Sequence, residues 1–161
     1  MASIEDLLKE ALTNKTCMKH PVAAVIETVD YQYILGWNGG PSRGKKHDKC
    51  ARVGYPSGEG IELCPSIHAE IRAITTAARE GISLDGATIY LAEWFPCDNC
   101  AKSIIESGIS KLVTPDEIYT NPDTYELLDN LKNQSYNFEM AEELIREASI
   151  DIVIDPSIKP K

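Results

Sequence analysis

The sequence contains no long apolar run, and no stretch approaches the ~20 consecutive apolar residues that span a bilayer. The first fifteen residues, MASIEDLLKEALTNK, carry acidic side chains early and an interrupted apolar pattern. That pattern is unlike the basic start and continuous apolar core of a secretory signal. These absences predict a cytoplasmic protein that does not enter a membrane.

Positive charge is scarce as well. The chain has 16 Lys and Arg against 25 Asp and Glu, which gives a formal net charge of −9. Proteins that bind nucleic acid use clustered Lys and Arg on the phosphate backbone. The charge balance therefore disfavours a nucleic acid as the partner and leaves small molecules as the expected ligands.

Local runs of residues predict the fold class. A length of 161 residues with 43% hydrophobic residues fits one compact domain over 1–161. A helix capped by Ser3 should pack on a sheet, and the apolar segments 22–26 and 31–37 predict an antiparallel hairpin. After residue 66, helices and strands alternate, with Ser66 as the expected cap of the first of these helices. The pattern predicts a three-layer α/β domain whose later strands are parallel, with 114–135 as an insertion.

Cysteine usage indicates metal binding. The chain has five cysteines, an odd number, and two of them form a Cys-x-x-Cys pair at Cys97 and Cys100. In a cytoplasmic protein this pair is more typical of a metal site than of a disulfide framework. Redox chemistry of the thioredoxin kind is the alternative for the pair.

Two short motifs supply the candidate site, namely His68-Ala69-Glu70 and Pro96-Cys97-Asp98-Asn99-Cys100. One imidazole and two thiolates fill three corners of a tetrahedral zinc site and leave the fourth corner for water. Both motifs are predicted to begin helices, so the three ligands His68, Cys97 and Cys100 can meet at one zinc ion. Glu70 is then placed to move protons, although a closed structural zinc site remains an alternative.

Other residues near the motifs allow further sites. His47, Cys50 and Cys64 could hold a second, structural zinc, with Cys17 or His20 as a fourth ligand. A Gly-containing loop also concentrates basic side chains, namely Arg43, Lys45, Lys46, Lys49 and Arg52. This loop is either solvated or the rim of a pocket that attracts a substrate phosphate, for which Arg43 and Arg72 are the candidates.

The chain resembles the cytidine and deoxycytidylate deaminase superfamily, most closely its deoxycytidylate deaminase branch. The resemblance is carried by the His-x-Glu and Pro-Cys-x-x-Cys motifs, by residues 36–41 (GWNGGP), by residues 56–64 (PSGEGIELC) and by residues 95–102 (FPCDNCAK). It implies a cytidine-deaminase-like α/β/α fold with a five-stranded mixed sheet. It also implies one catalytic zinc per subunit, a homo-oligomer, and conversion of dCMP to dUMP.

The resemblance further implies that Asn38 binds substrate, and the candidate substrate contacts are Asn38, Ala69, Trp94, Arg43 and Arg72. The branch usually has Asn where this chain has Arg72, and the approach to the cysteines at Trp94 is one residue longer. The alternatives are a deaminase of another nucleoside or free base, a tRNA-editing deaminase, and a zinc module without catalysis.

Overall fold

The computed structural model describes residues 1–17, 21–43, 49–56, 59–93, 95–116 and 137–161. Within these ranges lie five strands, which are β1 (Ala23–Glu27), β2 (Tyr33–Trp37), β3 (Thr88–Leu91), β4 (Lys111–Thr114) and β5 (Asp151–Ile154). The helices of the same ranges are α1 (Ile4–Thr13), α2 (Ala69–Glu80), α3 (Asp98–Glu106) and α4 (Phe138–Glu147), with short 3₁₀ turns at Ile61–Leu63 and Pro156–Ile158.

The five strands form one mixed sheet in the order β2-β1-β3-β4-β5. Strand β1 pairs antiparallel with β2 and with β3, whereas β3, β4 and β5 are parallel. Helix α3 connects β3 to β4, and α4 precedes β5, because parallel neighbours need a crossover. The predicted hairpin and the predicted parallel half are both confirmed.

Helices cover both faces of this sheet. On one face Leu8 and Ala11 of α1 pack against Ala23 and Val25 of β1. On the other face α2, α3 and α4 pack against the alternate residues of the strands, including Ala24, Ile26, Ile89, Leu91 and Leu112. The predicted three-layer α/β/α arrangement with a five-stranded sheet is therefore confirmed. No helix in the described ranges has both the length and the apolar character needed to cross a membrane.

Local sequence explains several element boundaries. Ser3 caps α1 through a reciprocal pair with Asp6, in which the Asp6 backbone N–H donates to Ser3 Oγ and the Ser3 backbone N–H donates to the Asp6 carboxylate. Strand β2 begins at Tyr33 rather than at the predicted residue 31, because Tyr31 has a φ of 62° in the hairpin turn and cannot continue an extended strand.

The predicted cap of α2 is wrong. His68, in extended conformation, is the N-cap residue, and the Ser66 hydroxyl is buried without a hydrogen-bond partner among the described residues. Helix α3 begins at Asp98 within the second motif, with Cys97 as its N-cap residue, as the sequence predicts. The predicted insertion 114–135 falls outside the described residues from 117 onward, and Thr114 is the last residue of β4.

A close approach between β2 and α2 fixes the position of the first motif. Gly36 of β2 lies so near α2 that a Cβ atom built on it would be 2.0 Å from the Ala69 carbonyl oxygen and 2.9 Å from Ala73 Cβ. Only glycine fits there without moving one element. Because Ala69 lies between His68 and Glu70, this contact sets how far both side chains stand from the sheet.

Candidate metal and catalytic site

The two motifs meet at the first turns of neighbouring helices. His68 is the N-cap residue of α2, Cys97 is the N-cap residue of α3, and Cys100 lies in the first turn of α3. His68 Nδ1 is 3.3 Å from Cys100 Sγ and 3.6 Å from Cys97 Sγ. The ligand atoms of all three residues lie within 4.8 Å of one another. The structure therefore brings the three predicted ligands to one point.

The donor set at this point fits zinc. One nitrogen and two sulfur atoms are ligands that zinc prefers, and the nitrogen lies 3.3 and 3.6 Å from the two sulfur atoms, close enough for one ion to bind all three. Both cysteines are buried, whereas His68 is partly exposed. Among the described residues, no fourth His, Cys, Asp or Glu joins the group. Three protein ligands with one remaining position are typical of a catalytic zinc rather than of a structural one.

The thiols influence each other's protonation. A hydrogen bond from Cys100 lowers the pKa of Cys97 to about 5, below the usual range of a thiol. The same bond, followed by burial, raises the pKa of Cys100. The pKa of His68 is raised, chiefly by its hydrogen bond with Cys97. A zinc ion held here would bind both sulfur atoms as thiolates.

Glu70 lies beside the ligands in a buried position. Its side chain is 5% exposed and forms a hydrogen bond with the Cys100 side chain. Burial raises the pKa of Glu70 above its ordinary value, and the nearby His68 opposes this shift. A carboxyl group that is buried beside the candidate metal ligands is placed to accept and return a proton, which is what a general acid–base group does.

The segment Trp37–Ser42 leads from β2 toward this site. Asn38 within it is buried, and its Oδ1 accepts a hydrogen bond from the Val22 backbone N–H at 2.8 Å. The Asn38 backbone N–H donates to the Val22 carbonyl at 3.2 Å. A two-way backbone bridge joins Gly39 to Ile67, the residue before His68. The predicted substrate residue Asn38 is thus carried on a segment attached to the start of α2.

Arg72 extends from α2 to the same segment. It is buried, with 6% of its surface exposed, and its guanidinium group lies 5.0 Å from the centroid of the Trp37 ring. Burial lowers the pKa of Arg72. The guanidinium donates to four acceptors between 2.7 and 2.9 Å, which are the carbonyls of Trp37, Gly39 and Gly40 and the hydroxyl of Ser42.

The other predicted substrate contacts have different surroundings. Ala69 is fully buried at the start of α2, and Arg43 is exposed on the loop after Ser42. Trp94 lies outside the described residues. In the basic loop, Lys49 is exposed, whereas Arg52 is buried and donates from Nε to the Glu59 carbonyl. Lys45 and Lys46 lie outside the described residues.

Some of the residues predicted to form a second zinc site lie within the described ranges. Cys17, Cys50 and Cys64 line one small cavity of about 40 Å³ next to Gly39 and Gly40. His20 and His47 lie outside the described residues. Within the described part of the chain, only the His68 group brings three metal-binding atoms within 4.8 Å. The second zinc stays a prediction.

Sequence reasoning missed two positions that shape the site. Gly36 has no chemistry of its own, and its role follows only from the Ala69 carbonyl beside it. Asp98, inside the second motif, accepts a hydrogen bond from the Asn137 backbone N–H and so joins the start of α3 to the start of α4. The Gly-containing motif at 36–41 was the available signal for the first, and no sequence signal indicated the second.

Known proteins resemble this chain in sequence. Residues 2–115 match the family described as the cytidine and deoxycytidylate deaminase zinc-binding region. The chain is 57% identical over 47 residues to a deoxycytidylate deaminase of Enterobacteria phage T2, a stretch covering 29% of this chain and 24% of the phage protein. It is 34% identical over 114 residues to ComE operon protein 2 of Bacillus subtilis, covering 71% of this chain and 58% of that protein.

Known proteins also resemble it in fold. The crystal structure of the dCMP deaminase from cyanophage S-TIM5, in complex with dCMP and dUMP, superposes with a TM-score of 0.60 at 18% identity. The superposition covers 92% of this chain and 90% of the cyanophage chain. At this identity the likeness shows the fold alone. The chain spans less than two thirds of the length of the two curated relatives named above.

Proposed function

Because the chain belongs to the cytidine and deoxycytidylate deaminase family, we propose that it is a zinc-dependent hydrolytic deaminase. Its proposed substrate is a cytosine nucleotide, with dCMP converted to dUMP and ammonia. The observation that carries the proposal is the meeting of His68, Cys97 and Cys100 within 4.8 Å, with the buried Glu70 in contact with Cys100.

In the proposed site, His68, Cys97 and Cys100 hold the zinc ion at the starts of α2 and α3. When bound, zinc acidifies a water molecule, lowering its pKa from ~15.7 toward ~7. The three ligands come from the starts of two helices, so the fold would set their positions before zinc or substrate binds. The N-terminal ends of α2 and α3 also place positive partial charge near a site where negative charge develops.

Glu70 moves the protons of the reaction. Deamination replaces the exocyclic amine of the ring with an oxygen atom from water. Glu70 accepts one proton from the water and delivers it to the ring nitrogen next to the amine-bearing carbon. It then transfers the second proton to the departing amine, so that ammonia leaves and a carbonyl remains. The two protons of the water thus end on the ring nitrogen and on ammonia.

The cytosine nucleotide is the finer part of the proposal. It is supported by the 57% identity to the phage T2 deoxycytidylate deaminase over 47 residues. Asn38 is the proposed substrate contact, because it is carried on the segment joined to Ile67 beside the metal ligand His68. The net charge of −9 disfavours a nucleic acid as substrate.

A substrate panel tests the proposal. Purified zinc-loaded protein is incubated with dCMP, CMP, dCTP, deoxycytidine, cytosine, guanine and an adenosine-containing tRNA, and ammonia release is followed. We expect the highest kcat/KM on dCMP. A preference for deoxycytidine or cytosine overturns the nucleotide assignment, and turnover of guanine or tRNA overturns the cytosine assignment. No turnover on any member overturns the enzyme assignment.

Cellular location and assembly belong to the same proposal. We infer a cytoplasmic protein that forms a homo-oligomer. Cell fractionation tests the location, and the mass measured by light scattering tests the assembly. A monomer in solution at micromolar concentration overturns the assembly part and leaves the proposed chemistry standing.

A further inference from the structure

Arg72 has an unusual environment for an arginine on a helix next to a candidate active site. Four of its hydrogen bonds go to protein acceptors, and all four acceptors lie in Trp37–Ser42. Three of these acceptors are backbone carbonyls. Arginine is suited to this role because its guanidinium presents five donors in a fixed planar fork. The Arg72 side chain therefore binds the segment at four residues rather than at one.

The segment that Arg72 holds carries Asn38. Asn38 is fixed on its other side by Val22, the residue before β1, whose backbone bonds to both the side chain and the backbone of Asn38. Carbonyls on both sides of Asn38, those of Trp37 and Gly39, accept from Arg72 at 2.8 and 2.9 Å. The Arg72 backbone N–H in turn donates to the His68 carbonyl at 3.0 Å. One residue thus connects the start of α2 to both neighbours of Asn38.

We propose that Arg72 is a positioning residue that holds Trp37–Ser42 at a fixed distance from His68 and Glu70, and so sets the affinity for substrate. This inference rests on the proposed function, because it assigns Asn38 to the substrate. Arg72 acts through the segment and does not touch the reacting atoms. Its loss weakens ground-state and transition-state binding alike, which raises KM and leaves kcat unchanged.

Lysine cannot replace arginine here. An ammonium group is a compact point charge on a flexible stem, and it has at most three donors. It cannot reach four acceptors spread from Trp37 to Ser42 in one geometry. The variant Arg72→Lys therefore keeps the positive charge and removes the fork. The matched control is Arg79→Lys, because Arg79 lies in the last turn of the same helix and is exposed.

The kinetic test compares Arg72→Lys with Arg79→Lys and the unmodified protein. We expect Arg72→Lys to raise KM about tenfold, on the order of one lost charge-assisted hydrogen bond. Its kcat and zinc content should stay within about twofold of those of the unmodified protein, a smaller change than the loss of one hydrogen bond to a charged group would cause. Arg79→Lys should match the unmodified protein. A fall in kcat at unchanged KM, or unchanged kinetics, overturns the proposal.

The same variants distinguish positioning from direct contact with a phosphate. If Arg72 bound the phosphate, Arg72→Lys would weaken the nucleotide and spare the nucleoside. A positioning role weakens dCMP and deoxycytidine by the same factor, because both need Asn38. A selective loss on dCMP therefore overturns the proposal in favour of phosphate binding.

A measurement without substrate keeps this inference separate from the proposed function. Hydrogen exchange is followed at the amides of Asn38, Gly39 and Gly40, which donate to Val22, Ile67 and Thr16. We expect faster exchange at these amides in Arg72→Lys and no change in Arg79→Lys. Unchanged exchange overturns the positioning role even if the protein is an active deaminase. Faster exchange supports it even if the substrate panel fails.

A milder variant covers the case in which Arg72→Lys does not fold. Ser42 is exposed, and its hydroxyl accepts from Arg72 Nη1 at 2.9 Å. Ser42→Ala removes one of the four acceptors and leaves the guanidinium in place. We expect a rise in KM of about threefold at unchanged kcat, consistent with one hydrogen bond. An unchanged KM in this variant overturns the proposal.

Discussion

The contact between Gly36 and the Ala69 carbonyl allows a test of how closely the site depends on the spacing of β2 and α2. In Gly36→Ala the new Cβ would lie 2.0 Å from that oxygen, whereas an ordinary contact is at least 3.4 Å. The backbone of α2 must therefore retreat by about 1.4 Å, the difference between these distances. Overpacking of this kind costs about 1–3 kcal/mol of stability. A displacement near 1 Å at reacting groups costs on the order of 10²-fold in rate.

The matched control for Gly36→Ala is Gly81→Ala at the other end of α2. No atom lies within 4 Å of the added Cβ there, but the φ of 71° makes alanine cost about 1–2 kcal/mol. Both variants are thus destabilised, and only Gly36→Ala moves Ala69. Steady-state kinetics with zinc analysis and thermal unfolding should show an approximately hundredfold lower kcat/KM in Gly36→Ala and little change in Gly81→Ala. Equal activities would refute the reasoning, because stability alone would then explain the outcome.

Three further predictions concern the metal site and its surroundings. Glu70→Gln should lower kcat by about 10²–10⁴-fold and retain its zinc, whereas the control Glu80→Gln, at an exposed position, should leave kcat unchanged. Loss of zinc in Glu70→Gln would show that Glu70 supports the metal. Zinc at about a thousand times its Kd should raise the free energy of unfolding by ~4 kcal/mol. The measurement is Tm after chelation and again after zinc is added back, and no rise in Tm would refute metal binding by the folded state. Ser66→Ala should leave stability unchanged or raise it by up to about 1 kcal/mol, because it removes a buried hydroxyl without a partner among the described residues. A clear loss of stability in denaturant titration would mean that this hydroxyl is satisfied.

Much of the fold could be predicted because its signals are local. The capping pair at Ser3, the short apolar runs of β1 and β2, and Gly81 after α2 each depend on neighbours in sequence. The left-handed conformation of Tyr31 was not predictable in this way. Tyrosine does not favour a φ of 62°, and the turn adopts it because Thr28 accepts from the Tyr31 and Gln32 backbones.

Some residues of the candidate site could be predicted from local sequence, and others could not. His68, Glu70, Cys97 and Cys100 could be predicted because residue type and spacing restrict what chemistry they can do. The environment of Arg72 could not, since it depends on how β2 lies against α2, thirty or more residues apart in sequence. A buried arginine and a solvated one are identical in the sequence, and only the four acceptors around it distinguish them.

The attachment of Trp37–Ser42 has a consequence for how this scaffold could diversify. The metal ligands belong to the starts of α2 and α3, whereas this segment follows β2, the edge strand of the antiparallel half of the sheet. None of the three metal ligands lies in the segment, and a change at Arg72 affects several of its backbone positions in one step. Ligand preference can therefore evolve, or be redesigned, by replacing the six residues Trp37–Ser42 together with Arg72, the helix side chain that is hydrogen-bonded to them.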